Sequence, residues 1–202
     1  MAEKEGVAAI LFEYQIQFKQ NLQTVVIMNK QISIKAKLKI AKGLLEGINF
    51  LHETCEIAHL DIKPSNILCS SVDFSVKYID FGSSRNIGKN SANSNEANLP
   101  VCSKLFSAPE LFHPIKKIRE NLNVKSLDIY AIGKTLLFVE RRGYYLNCLI
   151  SQEIGTKSSY LPPSSSSLSL TDFCNRRLIL KDPEQRCSAR TALDHLAKLL
   201  NS

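Results

Sequence analysis

The chain has 202 residues, 44% of them apolar, enough for one globular domain with its own core. Its 26 Lys and Arg outnumber its 19 Asp and Glu, and the net charge of +7 gathers at Lys30, Lys35, Lys37, Lys39 and Lys42 and at Lys116, Lys117 and Arg119. No aromatic residues interleave with these clusters, which argues for solvated helix faces over a nucleic-acid surface, with attraction to acidic partners as the other reading.

No apolar run is long enough to span a membrane, and the charged residues 1–6 are no secretory signal. The six cysteines lack a C-x-x-C and the four histidines lack ligand spacing, which argues against a zinc site. They read as reduced, mostly buried thiols of a cytoplasmic protein, the nucleus being the alternative compartment.

Residues 8–14, Ala-Ala-Ile-Leu-Phe-Glu-Tyr, read as a buried strand. Residues 32–53 form the strongest predicted helix. Ile34, Leu38, Ala41, Leu45 and Ile48 step by four and three along one face, with lysines opposite. Gly43 and Gly47 each cost about 1 kcal/mol of helix propensity, so packing must hold this helix, and both admit a close neighbour. Short β-like runs at 66–69 and 76–79 flank a turn at 70–73. Residues 83–100 are rich in Ser and Asn without periodicity, as suits a mobile segment.

Residues 126–140 are apolar on nearly all sides and predict a central buried helix. Residues 141–170 are irregular, with Leu161-Pro162-Pro163 and four serines marking an exposed loop. Thr171 and Ser188 are the expected N-caps of two closing helices, and Leu193, Leu196 and Leu200 the stripe of the last. His52, His113 and His195 read as surface or helix-end residues.

Three short motifs stand in order. His59-Leu60-Asp61-Ile62-Lys63-Pro64-Ser65-Asn66 comes first, Asp80-Phe81-Gly82 second and Ala108-Pro109-Glu110 third. Alone, an Asp-x-Lys is ordinarily a surface ion pair and an Asp-Phe-Gly a turn. Together they resemble the catalytic loop, metal-binding turn and activation-segment end of a eukaryotic serine/threonine protein kinase. The resemblance implies an α+β, mostly α-helical fold: a kinase-like C-terminal lobe with a remnant of the N-terminal lobe sheet. Residues 8–20 would supply the last small-lobe strand and the hinge, 21–202 the large lobe, and 80–110 the activation segment.

The resemblance also implies roles. Asp61 would orient the acceptor hydroxyl and take its proton, while Lys63 would contact the transferred phosphate. Asn66 and Asp80 would offer hard oxygens to Mg²⁺, and Gly82 would let the chain turn after Asp80. Glu13 and Gln15 would present hinge backbone groups to the adenine of ATP, Phe12 would be the gatekeeper and Leu68 would lie beneath the ring. His59 would pack near Phe81, and Ser103 would sit where a threonine usually touches the catalytic aspartate. Asp128 would accept backbone N–H bonds from the catalytic loop, and Arg186, in Asp182-Pro183-Glu184-Gln185-Arg186, would pair with Glu110. Lysine at 63 favours serine or threonine as the acceptor.

Leu60 stands where most kinases have an arginine that receives an activation-loop phosphate, so switching through that contact is not expected. The His-Leu-Asp form resembles the Mos branch. No G-x-G-x-x-G and no V-A-I-K-like strand lysine occurs in the chain. Three readings stay open: a fragment or truncated form of an active kinase, an inactive kinase-like binding module that regulates a full kinase or captures its substrate, or a non-functional gene fragment. Expected partners are a protein bearing Ser or Thr, and another kinase chain or a chaperone covering the surface left by the absent lobe.

Overall fold

A computed structural model of the chain describes residues 18–29, 31–88, 104–112, 122–141 and 169–200. The expectations on the strand at 8–14, Phe12, Glu13, Gln15, Ser103 and His113, on the cluster Lys116, Lys117 and Arg119, and on most of 83–100 and 141–170, lie outside these residues.

Helix N-termini leave backbone N–H groups without acceptors, and short polar side chains supply them. Asn21 accepts from the N–H of Thr24 at 2.8 Å to start α1 (Leu22–Met28). Ser33 accepts from Ala36 at 3.2 Å to start α2 (Ile34–Glu53). Asn123 accepts from Ser126 at 3.2 Å to start α3 (Val124–Glu140). Ser188 Oγ accepts from the N–H of Thr191 at 3.2 Å at the head of α5 (Ala189–Leu200).

The short α4 (Leu170–Phe173) corrects one expectation. Its cap is Ser169, and Thr171 lies inside the first turn. Ser169 and Asp172 form a reciprocal capping box, which Thr171 has no partner to match.

The core runs along α2, which packs against α3 and α5. Ile40, Ala41, Leu44, Leu45 and Ile48 are fully buried, each large side chain contributing about 1.5–3 kcal/mol by leaving water. Ile34, expected in the stripe, is 59% exposed. The buried face starts at Ala36, and two residues along a helix is a rotation of roughly 200°, which turns Ile34 outward. Lys37 also departs from a solvated lysine face. Its Nζ stands 3.1 Å from Glu140 Oε2 and donates to the Glu140 carbonyl at 3.3 Å, joining the start of α2 to the end of α3. The helix α3 is buried on nearly every side, as its composition predicts.

Two small antiparallel sheets flank the helices. One has the order β1–β3–β4, from Gln20–Asn21, Ile67–Cys69 and Val76–Tyr78, with Leu68 opposite both Asn21 and Lys77. The other pairs β2 (Ile57–Ala58) with β5 (Arg85–Asn86). β4 lies directly on α2. A Cβ on Gly43 would stand 2.7 Å from Val76 Cγ2, and one on Gly47 would stand 2.8 Å from the Tyr78 ring. The two glycines thus set the helix–strand spacing. The Tyr78 hydroxyl completes the contact, donating to the Leu44 carbonyl at 2.8 Å. The described residues form the expected mostly helical α+β fold.

Candidate active site

The 59–66 loop is held from below by one carboxylate. Asp128, in the first turns of α3, accepts the N–H of His59 at 2.8 Å on Oδ2 and that of Leu60 at 2.8 Å on Oδ1. His52 Nε2 approaches Oδ2 at 2.9 Å. His52 is 3% exposed, so its reading as a surface residue is corrected: it ends α2, but on the buried face. Helix period gives the reason, because His52 follows Ile48 by four and Leu45 by seven. That spacing was the signal that identified its face.

Leu60 adopts φ 65°, a left-handed conformation that costs a branched residue about 1–3 kcal/mol. Two interactions offset the strain. Asp128 fixes the Leu60 N–H, and the side chain is buried with Ala58, Ala108, Leu111 and Leu127 in a second apolar cluster. The conformation lets consecutive N–H groups at 59 and 60 converge on one carboxylate, after which Asp61 turns away from it.

Asp61 Oδ2 accepts from Lys63 Nζ at 2.8 Å and from Asn66 Nδ2 at 2.8 Å. Asn66 Nδ2 also donates to the Asp61 carbonyl at 3.0 Å. Both amide donors of Asn66 are therefore spent on Asp61, and its carbonyl oxygen faces elsewhere. Asp61 Oδ1 has no hydrogen-bond partner among the described residues. Pro64 sits in the first turn of a 3-10 helix, Pro64–Asn66, whose bond from the Asn66 N–H to the Lys63 carbonyl (2.9 Å) sets this geometry.

Two bonds bring the Asp80 turn alongside. The Ile79 N–H donates to the Asn66 carbonyl at 3.1 Å, and His59 Nε2 donates to the Ile79 carbonyl at 3.1 Å. His59 Nδ1 accepts from the Asp61 N–H at 3.4 Å, so the ring is the Nε2–H tautomer. The His59 and Phe81 rings are 4.9 Å apart. Asp80 takes φ 63° and ψ 73°, and its Oδ1 accepts the Gly82 N–H at 3.4 Å. Its carboxylate is exposed. Pairing of β2 with β5 then carries the chain after Asp80 back beside the start of the loop.

Leu68 is half-buried on β3, between the buried Ile67 and Cys69. Burial pushes the Cys69 thiol up to about 12, with the Asp73 carboxylate adding to the effect. Burial, aided by the charge of Asp128, holds the Tyr78 phenol well above its ordinary range.

Farther along, Glu110 and Arg186 form a two-armed pair, at 2.5 Å and 3.0 Å. Arg186 also donates to the carbonyls of Leu180, Lys181 and Ser126 and to the Ser126 hydroxyl, and it lies 4.8 Å from the Tyr130 ring centroid. Its charge is buried with its donors satisfied, the condition under which such a pair holds.

The protein kinase domain family model matches residues 1–196. The chain is 32% identical over 169 residues to the probable serine/threonine-protein kinase fhkB of Dictyostelium discoideum, covering 78% of this chain and 14% of that protein. It is 29% identical over 199 residues to serine/threonine-protein kinase 17A of Oryctolagus cuniculus, covering 96% of this chain and 48% of that protein. It is 30% identical over 164 residues to the MAP kinase kinase PBS2 of Saccharomyces cerevisiae, covering 77% of this chain and 24% of that protein. The chain spans less than half the length of each of these relatives. These comparisons reach the family and do not extend to the Mos branch. With the family model matching almost its whole length, the chain belongs to the protein kinase domain family.

Proposed function

We propose that this chain carries the catalytic half of a serine/threonine protein kinase, moving the terminal phosphate of ATP to a protein hydroxyl. The observation that carries this reading is the hold of Asp61 on both amide donors of Asn66, with Ile79 bonded to the Asn66 backbone beside it. That arrangement sets a carboxylate oxygen, an amide oxygen and the Asp80 carboxylate on adjoining turns.

The donor set suits the ion the reaction uses. Asn66 and Asp80 offer hard oxygens, and Mg²⁺ takes few protein ligands when phosphates and water complete its shell. When bound, Mg²⁺ would neutralise phosphate charge. Asp61 would accept the proton of the serine or threonine hydroxyl on Oδ1 and aim the oxygen at phosphorus. Lys63 would place its ammonium on the transferred phosphate. Leu68 would support the adenine, with Glu13 and Gln15 contributing backbone groups. Leu60 would leave the loop ordered without an activation-loop phosphate, because apolar packing already holds it.

A second reading, a kinase-like binding module acting on a full kinase, is favoured by one feature. The sequence has no G-x-G-x-x-G and no strand lysine for the ATP phosphates. Titrating the chain with Mg·ATP under a thermal-unfolding readout, alongside transfer of labelled phosphate to a serine-bearing protein, separates the two. A ligand that binds the native state raises apparent stability. A rise in melting temperature with phosphate transfer supports the enzyme. Absence of both at millimolar nucleotide defeats autonomous ATP use by this chain. Among the described residues no helix is long and apolar enough to cross a membrane.

A further inference from the structure

The helix beginning at Leu170 changes pitch at Cys174. Residues Cys174–Leu178 wind as a π-helix, closed by the Ile179 N–H on the Cys174 carbonyl at 3.0 Å. Such widened turns are rare and frequently occur at functional sites. Phe173, Cys174 and Leu178 stay buried, while Arg176 and Arg177 stand exposed at consecutive positions. Between this segment and α5 lies a cavity of about 230 Å³ with a largely apolar wall that includes Phe173 and Leu199. Arg176, Arg177, His195 and Lys198 border it.

Among the described residues of this lining, three cations, Arg176, Arg177 and Lys198, stand against one acid, Asp172. Among the described residues no ion pair engages Arg176, Arg177 or Lys198. The Asp172 Oδ2 accepts from the Ser169 hydroxyl at 3.0 Å, and its single charge leaves the rim with a net positive excess. We infer that this cavity docks an acidic segment of a partner protein through one apolar anchor side chain flanked by carboxylates. A large apolar side chain fits the volume and would bury against Phe173 and Leu199. Three cations on two separate elements suit several carboxylates better than the single one of a fatty acid. A recess also suits a protruding side chain, whereas an anionic membrane presents a broad surface with nothing to fill it. The site shares no lining residue with the Asp61 loop, so it stands whether or not the chain transfers phosphate.

The test uses the whole chain and an array of fluorescein-labelled twelve-residue peptides, each with one Leu or Phe flanked by Asp and Glu. Controls carry Ser for the anchor, or Asn and Gln for the acids. The expected result is salt-sensitive binding, read by anisotropy, that weakens at least tenfold with either control. The same loss is expected in the Arg176→Glu, Lys198→Glu double variant, checked for an unchanged melting temperature. If that variant unfolds, Arg176→Gln with Lys198→Gln replaces it. Bound peptide should shift the NMR methyl signals of Leu199. The inference is overturned if no peptide exceeds its controls, as would occur were the cavity filled by the chain's own residues. It is equally overturned if anchor-less peptides bind as well, or if only phosphatidylserine vesicles bind.

Discussion

His52 and Asp128 meet 2.9 Å apart in the interior, joining the last turn of α2 to the first turns of α3 directly beneath the Asp61 loop. Asp128 shares its two oxygens among this ring and two backbone N–H groups. The loop therefore takes its shape from a carboxylate that need not touch substrate. Asp128→Ala would strand three buried donors, at about 1–3 kcal/mol each. A loss of stability of at least about 3 kcal/mol is expected in urea unfolding. A double-mutant cycle of His52→Ala with Asp128→Asn should give a coupling of about 0.5–3 kcal/mol. Simple additivity would show that the two act separately.

Gly47→Ala would stabilise an ordinary exposed helix by up to about 1 kcal/mol. Here the new methyl would stand 2.8 Å from the Tyr78 ring, and overpacking of this kind costs about 1–3 kcal/mol. Net destabilisation is expected, accompanied by a change in the near-UV signal of Tyr78. A gain in stability would mean that β4 yields to the helix at little cost.

Glu110→Ala leaves the Arg186 guanidinium buried without its counter-ion, and breaking such a pair costs about 3–5 kcal/mol. Glu110→Gln keeps one acceptor and should cost less. Thermal unfolding of the two variants checks the order, and equal losses would assign the effect to charge alone.

Alkali should unfold the protein early. Burial raises the Cys69 thiol to about 12, and burial is likewise the first cause of the upward shifts at Cys174, Cys187 and Tyr78. Unfolded thiols titrate near about 8.5. Their contribution is complete below that pH and is lost as the pH rises toward the folded values, because the native state then holds protons that the unfolded state has released. The unfolding free energy from urea titrations should fall from about pH 8.5 upward, by as much as about 1.4 kcal/mol per pH unit for each buried thiol. A Cys69→Ala, Cys174→Ala variant should show a shallower fall. An unchanged slope would place the loss on other groups.

If the chain transfers phosphate, Asp61→Asn should reduce the rate by about 10²–10⁴-fold, the usual contribution of a positioned base. Asp80→Asn should raise the Mg²⁺ concentration needed for half-maximal rate. Phosphate incorporation into a serine-bearing protein measures both, and an unaltered rate in Asp61→Asn would remove Asp61 from the reaction.

Much of this was legible along the chain. The periodicity of α2, the all-round apolarity of α3, the turn between β3 and β4 and the Ser188 cap all follow from local pattern, because backbone propensity and side-chain burial act over a few residues. Gly43 and Gly47 announced a close neighbour before Val76 and Tyr78 were known to be it. Ile34 and Thr171 misled for one reason. Each matches a local rule that another feature overrode: packing against the core set the buried face of α2 from Ala36, and the Ser169-x-x-Asp172 capping box, a stronger local signal than a lone threonine, set the start of α4.

The order of residues alone singled out the motif side chains Asp61, Lys63, Asn66 and Asp80, since motif spacing is a covalent property of the chain. Their convergence was decided only in three dimensions. Asp61, Asn66 and Ile79 adjoin because Asp128 and His52, remote from one another in sequence, clamp the loop from beneath, and because Leu60 finds apolar cover for a strained backbone. Hydrogen-bond geometry and burial are set by what the neighbouring elements supply, and no short stretch of sequence contains them.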